Sequence, residues 1–178
     1  MNRSKQSSTA ISIHELTWMA LLIALESVLI KLTFGSAMLK VGFAFIAVGL
    51  MGYYFGPYKA ALANGIADLI SNVILGSNGS YFFWGFTVSA VVSGLIAGFV
   101  LHRRKVTLLN VFITILLITV VVNTLMNTLW VSIMTNNPYL VMLVARLPKQ
   151  AIALVYQTGL LFIMLKWIDG SRFSKIGR

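Results

Sequence analysis

Arg146 and Lys149 stand about one helical turn apart inside the apolar stretch VMLVARLPKQAIALVYQ, Val141 to Gln157. On insertion scales a cation at the centre of a membrane helix costs roughly 2.5 to 3.5 kcal/mol, so this pair needs something that compensates it. Gln150, Ala153 and Gln157 continue the same stripe at helical spacing. Two other apolar segments carry stripes of the same kind: Asn64, Asp68, Ser71 and Asn72 in one, and Thr119, Asn123, Asn127 and Trp130 in the other. In lipid such groups must face a partner, water or a ligand. A loop, GSNGSYFFWGFT, adds Tyr81, Phe82, Phe83, Trp84 and Phe86 beside glycines, a cluster that could stack on a flat ring and close over it. Lys40 supplies one more cation from an earlier loop. These residue types point to a binding pocket for a polar solute, and the residues expected to form it are Lys40, Asp68, Asn72, Phe82, Trp84, Asn127, Trp130, Arg146, Lys149, Gln150 and Gln157.

Each feature also has a plainer reading. Asp68 can bond a neighbouring helix or pair with a lysine, aromatics at a membrane boundary commonly anchor a helix, and Lys149 can snorkel toward headgroups. Asn78-Gly79-Ser80 matches a glycosylation sequon, a pattern short enough to arise by chance. What favours the pocket is that cations, a carboxylate, amides and aromatics converge at one depth on one side.

Catalytic chemistry fits the sequence poorly. No G-x-x-x-x-G-K-[ST] loop is present, and His14-Glu15 lacks the second histidine of a zinc-protease motif. The acidic residues, Glu15, Glu26, Asp68 and Asp169, offer no spaced pair for acid/base work and no metal cluster. With no cysteine, thiolate chemistry and disulfides are excluded as well. The expectation is a protein that is not an enzyme and carries no cofactor.

The elements that position these residues follow from composition. At 58% hydrophobic and only 10% charged residues in 178, the chain has more apolar surface than one soluble core could bury, which makes it an all-α integral membrane protein. Its net charge of +10 is scattered between apolar blocks and forms no basic stripe, so nucleic acid is not an expected partner whereas membrane lipid is. The blocks fall at about 13–33, 42–55, 58–75, 83–101, 106–134 and 139–168, predicting six transmembrane helices. Residues 1–178 read as one membrane domain: an N-terminal tail over 1–12, a bundle over 13–168 and a C-terminal tail over 169–178. Arg3 and Lys5, Lys59, Arg103, Arg104 and Lys105, and Lys166, Arg172, Lys175 and Arg178 fall on one side, so the positive-inside rule places both termini in the cytoplasm and the pocket outward. A cleavable signal peptide is the competing reading of the first block; Glu26 inside the apolar run argues against it. Ala20 and Ala24, and Gly94 and Gly98, have the small-x-x-x-small spacing that lets helices approach closely, within the bundle or with a partner.

Five segments in order, KVGFAFIAVGLMGYYFGP (Lys40–Pro57), ADLI (Ala67–Ile70), YFFWGFTVSAVVSGLIAGF (Tyr81–Phe99), NTLW (Asn127–Trp130) and ARLPKQ (Ala145–Gln150), resemble the folate-specific substrate-binding (S) component of energy-coupling factor (ECF) vitamin transporters. Ala47 departs from the pattern, where a GFIP-like family motif leads to the expectation of proline. The resemblance implies a six-helix S-component fold that captures folate from outside and has no ATPase of its own. It also implies an ECF module as partner, made of the transmembrane coupling protein EcfT and two cytoplasmic ATPases, with Ala20 and Ala24 as docking residues. Loops one and three, roughly 34–40 and 76–85, would form the gate, and delivery would occur by toppling in a bacterial plasma membrane. Folate suits the residues: Asp68 can accept from the amino-pyrimidinone edge, Phe82, Trp84 and Trp130 can stack on its rings, and its glutamate dianion can neutralise Arg146, Lys149 or Lys40. The competing functions are an S component for riboflavin or thiamine, and a small channel or membrane scaffold.

Overall fold

The computed structural model describes residues 12–34, 41–74 and 83–170; Lys40, Tyr81, Phe82 and residues 1–11 and 171–178 lie outside them. Helix α1 (Ile13–Lys31) starts where the Ser12 side chain accepts the Glu15 backbone N–H at 3.1 Å, with Glu15 well placed for the helix dipole. Its outer face carries Leu16, Leu21 and Val28, all exposed, and its inner face buries Met19, Leu22, Glu26 and Ser27. A two-residue strand β1 (Thr33–Phe34) then pairs antiparallel with β2 (Val41–Gly42), Thr33 opposite Gly42. Among the described residues, all the other regular elements are helices.

Helix α2 (Ala44–Leu69) contains the decisive backbone irregularity. Gly56 has φ 76° and ψ 180°, a region essentially reserved for glycine, and Pro57 favours the extended ψ before it. The chain turns back here. A straight helix would carry Ala67 about 35 Å from Ala44, yet both ends meet the last turns of α1: Gly42 pairs with Thr33, and the Ser27 hydroxyl lies 3.2 Å from the Ala67 carbonyl. The opposite end of the bundle holds the turn itself, where Lys59 pairs with Glu15 at 2.6 Å and His102 packs on Gly56 with Nδ1 3.1 Å from the Tyr53 carbonyl.

A π-helical turn over Ile70–Ile74 extends α2. Helix α3 (Trp84–Leu101) packs along it with little space between the backbones. A methyl on Gly94 would sit 2.6 Å from the Ala60 carbonyl oxygen, and one on Gly98 would run into the Pro57 backbone, so this glycine pair serves packing inside the bundle. Helix α4 (Leu108–Leu117), a π-helical run over Ile118–Met126 and α5 (Asn127–Thr135) form one rod, ended by Asn136 in the left-handed conformation. Helix α6 (Tyr139–Asp169) contains Pro148.

Among the described residues there are therefore five helical runs, not the six separate helices that the sequence predicts. The blocks at 42–55 and 58–75 are joined because Gly56 absorbs the whole reversal and leaves no intervening loop. Four runs are long and apolar enough to cross a membrane: α1, α3, the α4–α5 rod and α6. Ala47, where proline was expected, is fully buried in an unbroken first half of α2. The core is lopsided. Met51, Phe55, Leu101, Val111, Ile115, Leu161 and Leu165 fill the half of the bundle near Gly56. Asp68, Ser71, Thr87 and Ser89 are buried in the other half.

Gly98→Ala forces a methyl into rigid backbone and should destabilise by roughly 1–3 kcal/mol, whereas Gly159→Ala, with nothing within 4 Å of the new methyl, should be neutral. Thermal unfolding in detergent measures both; equal midpoints for the two variants would contradict the packing described.

Candidate functional site

The polar half of the bundle holds two groups of side chains. In the first, Asp68 on the last turn of α2 accepts from Asn72 Nδ2 at 2.9 Å and from Thr87 Oγ1 at 2.8 Å, so one carboxylate ties α2 to α3. Lys31, at the end of α1, is near enough to Asp68 to interact with it electrostatically, and so is Glu26. Glu26 is 3% exposed, and its Oε2 has no hydrogen-bond partner among the described residues. Trp130 on α5 donates from Nε1 to Ser89 Oγ on α3 at 3.0 Å, and its ring lies 5.7 Å from that of Phe83. Trp84, the first residue of α3, is 67% exposed.

The second group lines a cavity of about 820 Å³ between the α4–α5 rod and α6. One wall presents Asn123 and Asn127; the other presents Arg146, Lys149 and Gln150, with Pro138, Val141 and Met142 toward the α5–α6 turn. Both walls are irregular helix. The rod is π-helical over Ile118–Met126, where Thr124 Oγ1 reaches the Thr119 carbonyl at 2.7 Å, and Pro148 has no N–H to offer the Val144 carbonyl one turn earlier. Such backbone is tolerated at membrane depth where it lines a cavity, and π-helical turns concentrate at functional sites.

Charge at this cavity is one-sided. The chain has four carboxylate side chains: Glu15 pairs with Lys59, Asp169 accepts from Tyr53 at 2.7 Å, and Glu26 and Asp68 belong to the α1–α2 group. None of them lines the cavity with Arg146. Half-buried, the Arg146 guanidinium faces amides and apolar carbon on a wall that offers it no anion.

The predicted site residues thus divide. Asn127, Arg146, Lys149 and Gln150 meet around the cavity, while Asp68, Asn72, Trp84 and Trp130 stand outside its described walls. Gln157 lies two turns deeper on α6, its Nε2 3.2 Å from the Tyr156 hydroxyl. Lys40 and Phe82 fall outside the described residues. Ala20 and Ala24 are exposed on the outer face of α1. Sequence reasoning allowed Asp68 a bond to a neighbouring helix or a lysine without naming Thr87 or Lys31, and it did not name Ser89 as the companion of Trp130. Small hydroxyls in an apolar helix read as ordinary packing residues, and only the carboxylate and indole they hold reveal them.

A helical membrane protein with a one-sidedly cationic cavity at one end and a packed apolar core at the other is a membrane-embedded solute-binding protein. The family model described as "ECF transporter, substrate-specific component" matches residues 14–167, and the chain belongs to that family of transporter components. It is 34% identical over 158 residues to a folate transporter FolT of Clostridium novyi (strain NT), covering 88% of this chain and 91% of the other. A folate transporter FolT of Leuconostoc mesenteroides subsp. mesenteroides is 30% identical over 153 residues, with 83% and 82% covered. Among solved structures, a crystal structure of FolT bound with folic acid superposes with a TM-score of 0.78 at 28% identity, covering 86% of this chain and 93% of that one.

If Thr87 ties α3 to Asp68, Thr87→Val should lower stability by roughly 1–3 kcal/mol through a carboxylate oxygen left unpaired. Thermal unfolding in detergent reads this; an unchanged midpoint would mean that the Asp68–Thr87 bond contributes nothing.

Proposed function

We propose that this protein captures folate at the outer face of a bacterial plasma membrane and passes it to an ECF module, a transmembrane coupling protein with two cytoplasmic ATPases that hydrolyse ATP on its behalf. The observation that carries this reading is a cavity whose lining includes Arg146, Lys149, Asn123 and Asn127, and in which no carboxylate meets Arg146. Its volume suits a small molecule. Its charge suits an anion. Two relatives are named folate transporters, and the structural neighbour holds folic acid.

In this reading the glutamate dianion of folate enters the α5–α6 cavity and neutralises Arg146 and Lys149, with Gln150 beside them. The pterin reaches toward the Asp68 group, whose carboxylate oxygens each keep a lone pair beyond the bonds from Asn72 and Thr87. Trp130 stacks on an aromatic ring in this reading; Lys40 and Phe82 contribute from the gate loops and Trp84 from the start of α3, and Gln157 borders the site from below. Thiamine is cationic and riboflavin lacks the dicarboxylate, so neither suits the cations.

The membrane arrangement belongs to the same proposal. Counting the two arms of α2 on either side of Gly56 separately gives six spans. Lys59, Arg103, Arg104, Lys105 and Lys166 gather at the Gly56 end, which supports both termini in the cytoplasm and an outward cavity. The apolar core near Gly56 favours a dead-end pocket over a channel. Ala20 and Ala24, exposed on α1, offer a close-approach surface for the coupling protein.

Titration of the detergent-purified protein with folate, riboflavin and thiamine, followed by tryptophan fluorescence, tests the reading. Folate alone should bind tightly, and Arg146→Ala should weaken it by roughly ten- to a hundredfold through loss of a charge-assisted hydrogen bond. Indifference to all three vitamins would overturn the assignment.

A further inference from the structure

We propose that Gly85 and Ser89 on α3 are positioning residues for Trp130: they lock its indole in one orientation, so that the platform on which a ligand ring stacks is set before the ligand arrives. The inference rests on the folate reading above, in which Trp130 stacks on an aromatic ring, and deepens it by naming what aims the indole. Three contacts fix the side chain. Nε1 donates to Ser89 Oγ at 3.0 Å, and Ser89 is 3% exposed, so the bond is shielded from water. The buried Gly85, one turn earlier on the same face of α3, leaves room for the middle of the indole: a methyl there would lie 2.5 Å from Trp130 Cδ2 and 2.5 Å from Phe83 Cε1. Phe83 completes the slot, its ring 5.7 Å from the indole and tilted by 50°, and Phe86 braces Phe83 edge-on at 6.2 Å.

A tryptophan side chain turns about two bonds, and a ring that turns freely must be immobilised by the ligand that stacks on it, at a cost in affinity. Here folding has already fixed the ring. The hydrogen bond holds one edge, the close approach of Gly85 the centre and Phe83 the side, so no rotation about either bond preserves all three. Trp130 is only half-buried, which leaves part of the indole open. Asn127, three residues earlier on α5, lines the cavity, and the indole therefore lies on the helical face that continues the cavity wall. Ser89 and Gly85 act through Trp130, not by touching the ligand.

The test is a double-mutant cycle read by folate affinity. Ser89→Ala should weaken folate binding about three- to tenfold, whereas in a Trp130→Phe background, where no N–H is left to hold, the same substitution should have no effect. Gly85→Ala, which drives the indole out of its slot, should weaken binding at least as much as Ser89→Ala does. Ser93→Ala, one turn further along α3 with its hydroxyl on a backbone carbonyl, should leave affinity unchanged. A second readout needs no change at Ser89: in fluorine NMR of protein carrying fluorotryptophan, the Trp130 line, assigned by its loss in Trp130→Phe, should be single and sharp without folate. An equal loss for Ser89→Ala in both backgrounds, an unaltered affinity in Ser89→Ala or Trp130→Phe alone, or a Trp130 line already split in the unliganded protein would overturn the inference and leave the folate reading standing. Failure of the unchanged protein to bind folate at all would sink the functional reading, and this inference with it.

Discussion

An arginine in an apolar bundle with no carboxylate to meet it is the constraint on which the rest of this structure turns. With only four acidic residues in the chain, and those four placed in other parts of the bundle, the protein cannot neutralise Arg146 from its own side chains along the cavity wall. Removing a cation from water without a partner costs more than most single contacts return. Two features moderate that cost in the unliganded protein: the cavity keeps the guanidinium half-exposed, and the amides opposite offer dipoles. In the function proposed here, the remaining imbalance is what an anionic ligand corrects.

The fold divides so that this unstable arrangement does not spread. Near Gly56 the helices approach to backbone contact along α2 and α3, and large aliphatic side chains from α2, α4 and α6 fill the centre. That half needs no ligand to be whole. Toward the other end the packing gives way to buried polar ties, Asp68 to Thr87 and Trp130 to Ser89, each of which joins two helices by a single side-chain bond. Helical irregularity follows the same division: the π-helical run of the α4–α5 rod and the proline of α6 both occur where helices line the cavity.

Much of this was legible in the residues. Hydrophobic blocks located α1, α3, the rod and α6 within a few residues, and the stripe through Arg146, Lys149 and Gln150 picked out the cavity wall along with Asn127 on the facing rod. The blocks at 42–55 and 58–75 imply a break between two helices, but a reversal confined to the φ and ψ of one glycine leaves no loop for a pattern to detect. Depth and face were also legible for Asp68, though its partner was not. Thr87 is one of several small polar residues in α3, and nothing in their spacing says which one meets a carboxylate nineteen residues earlier. Glu26 was visible only as a charge in an apolar run; its burial beside Asp68 depends on how α1 packs, which periodicity does not encode.

The most direct measurement of the central claim is the thermal stability of Arg146→Met with and without folate. If Arg146 is held for a ligand and not by the protein, removing its charge should leave the unliganded midpoint unchanged or raise it by a few degrees, while most of the stabilisation that folate confers should vanish. A variant that unfolds earlier than the unchanged protein when empty, yet gains as much from folate, would show that the arginine serves the fold and that the ligand finds its counter-charge elsewhere.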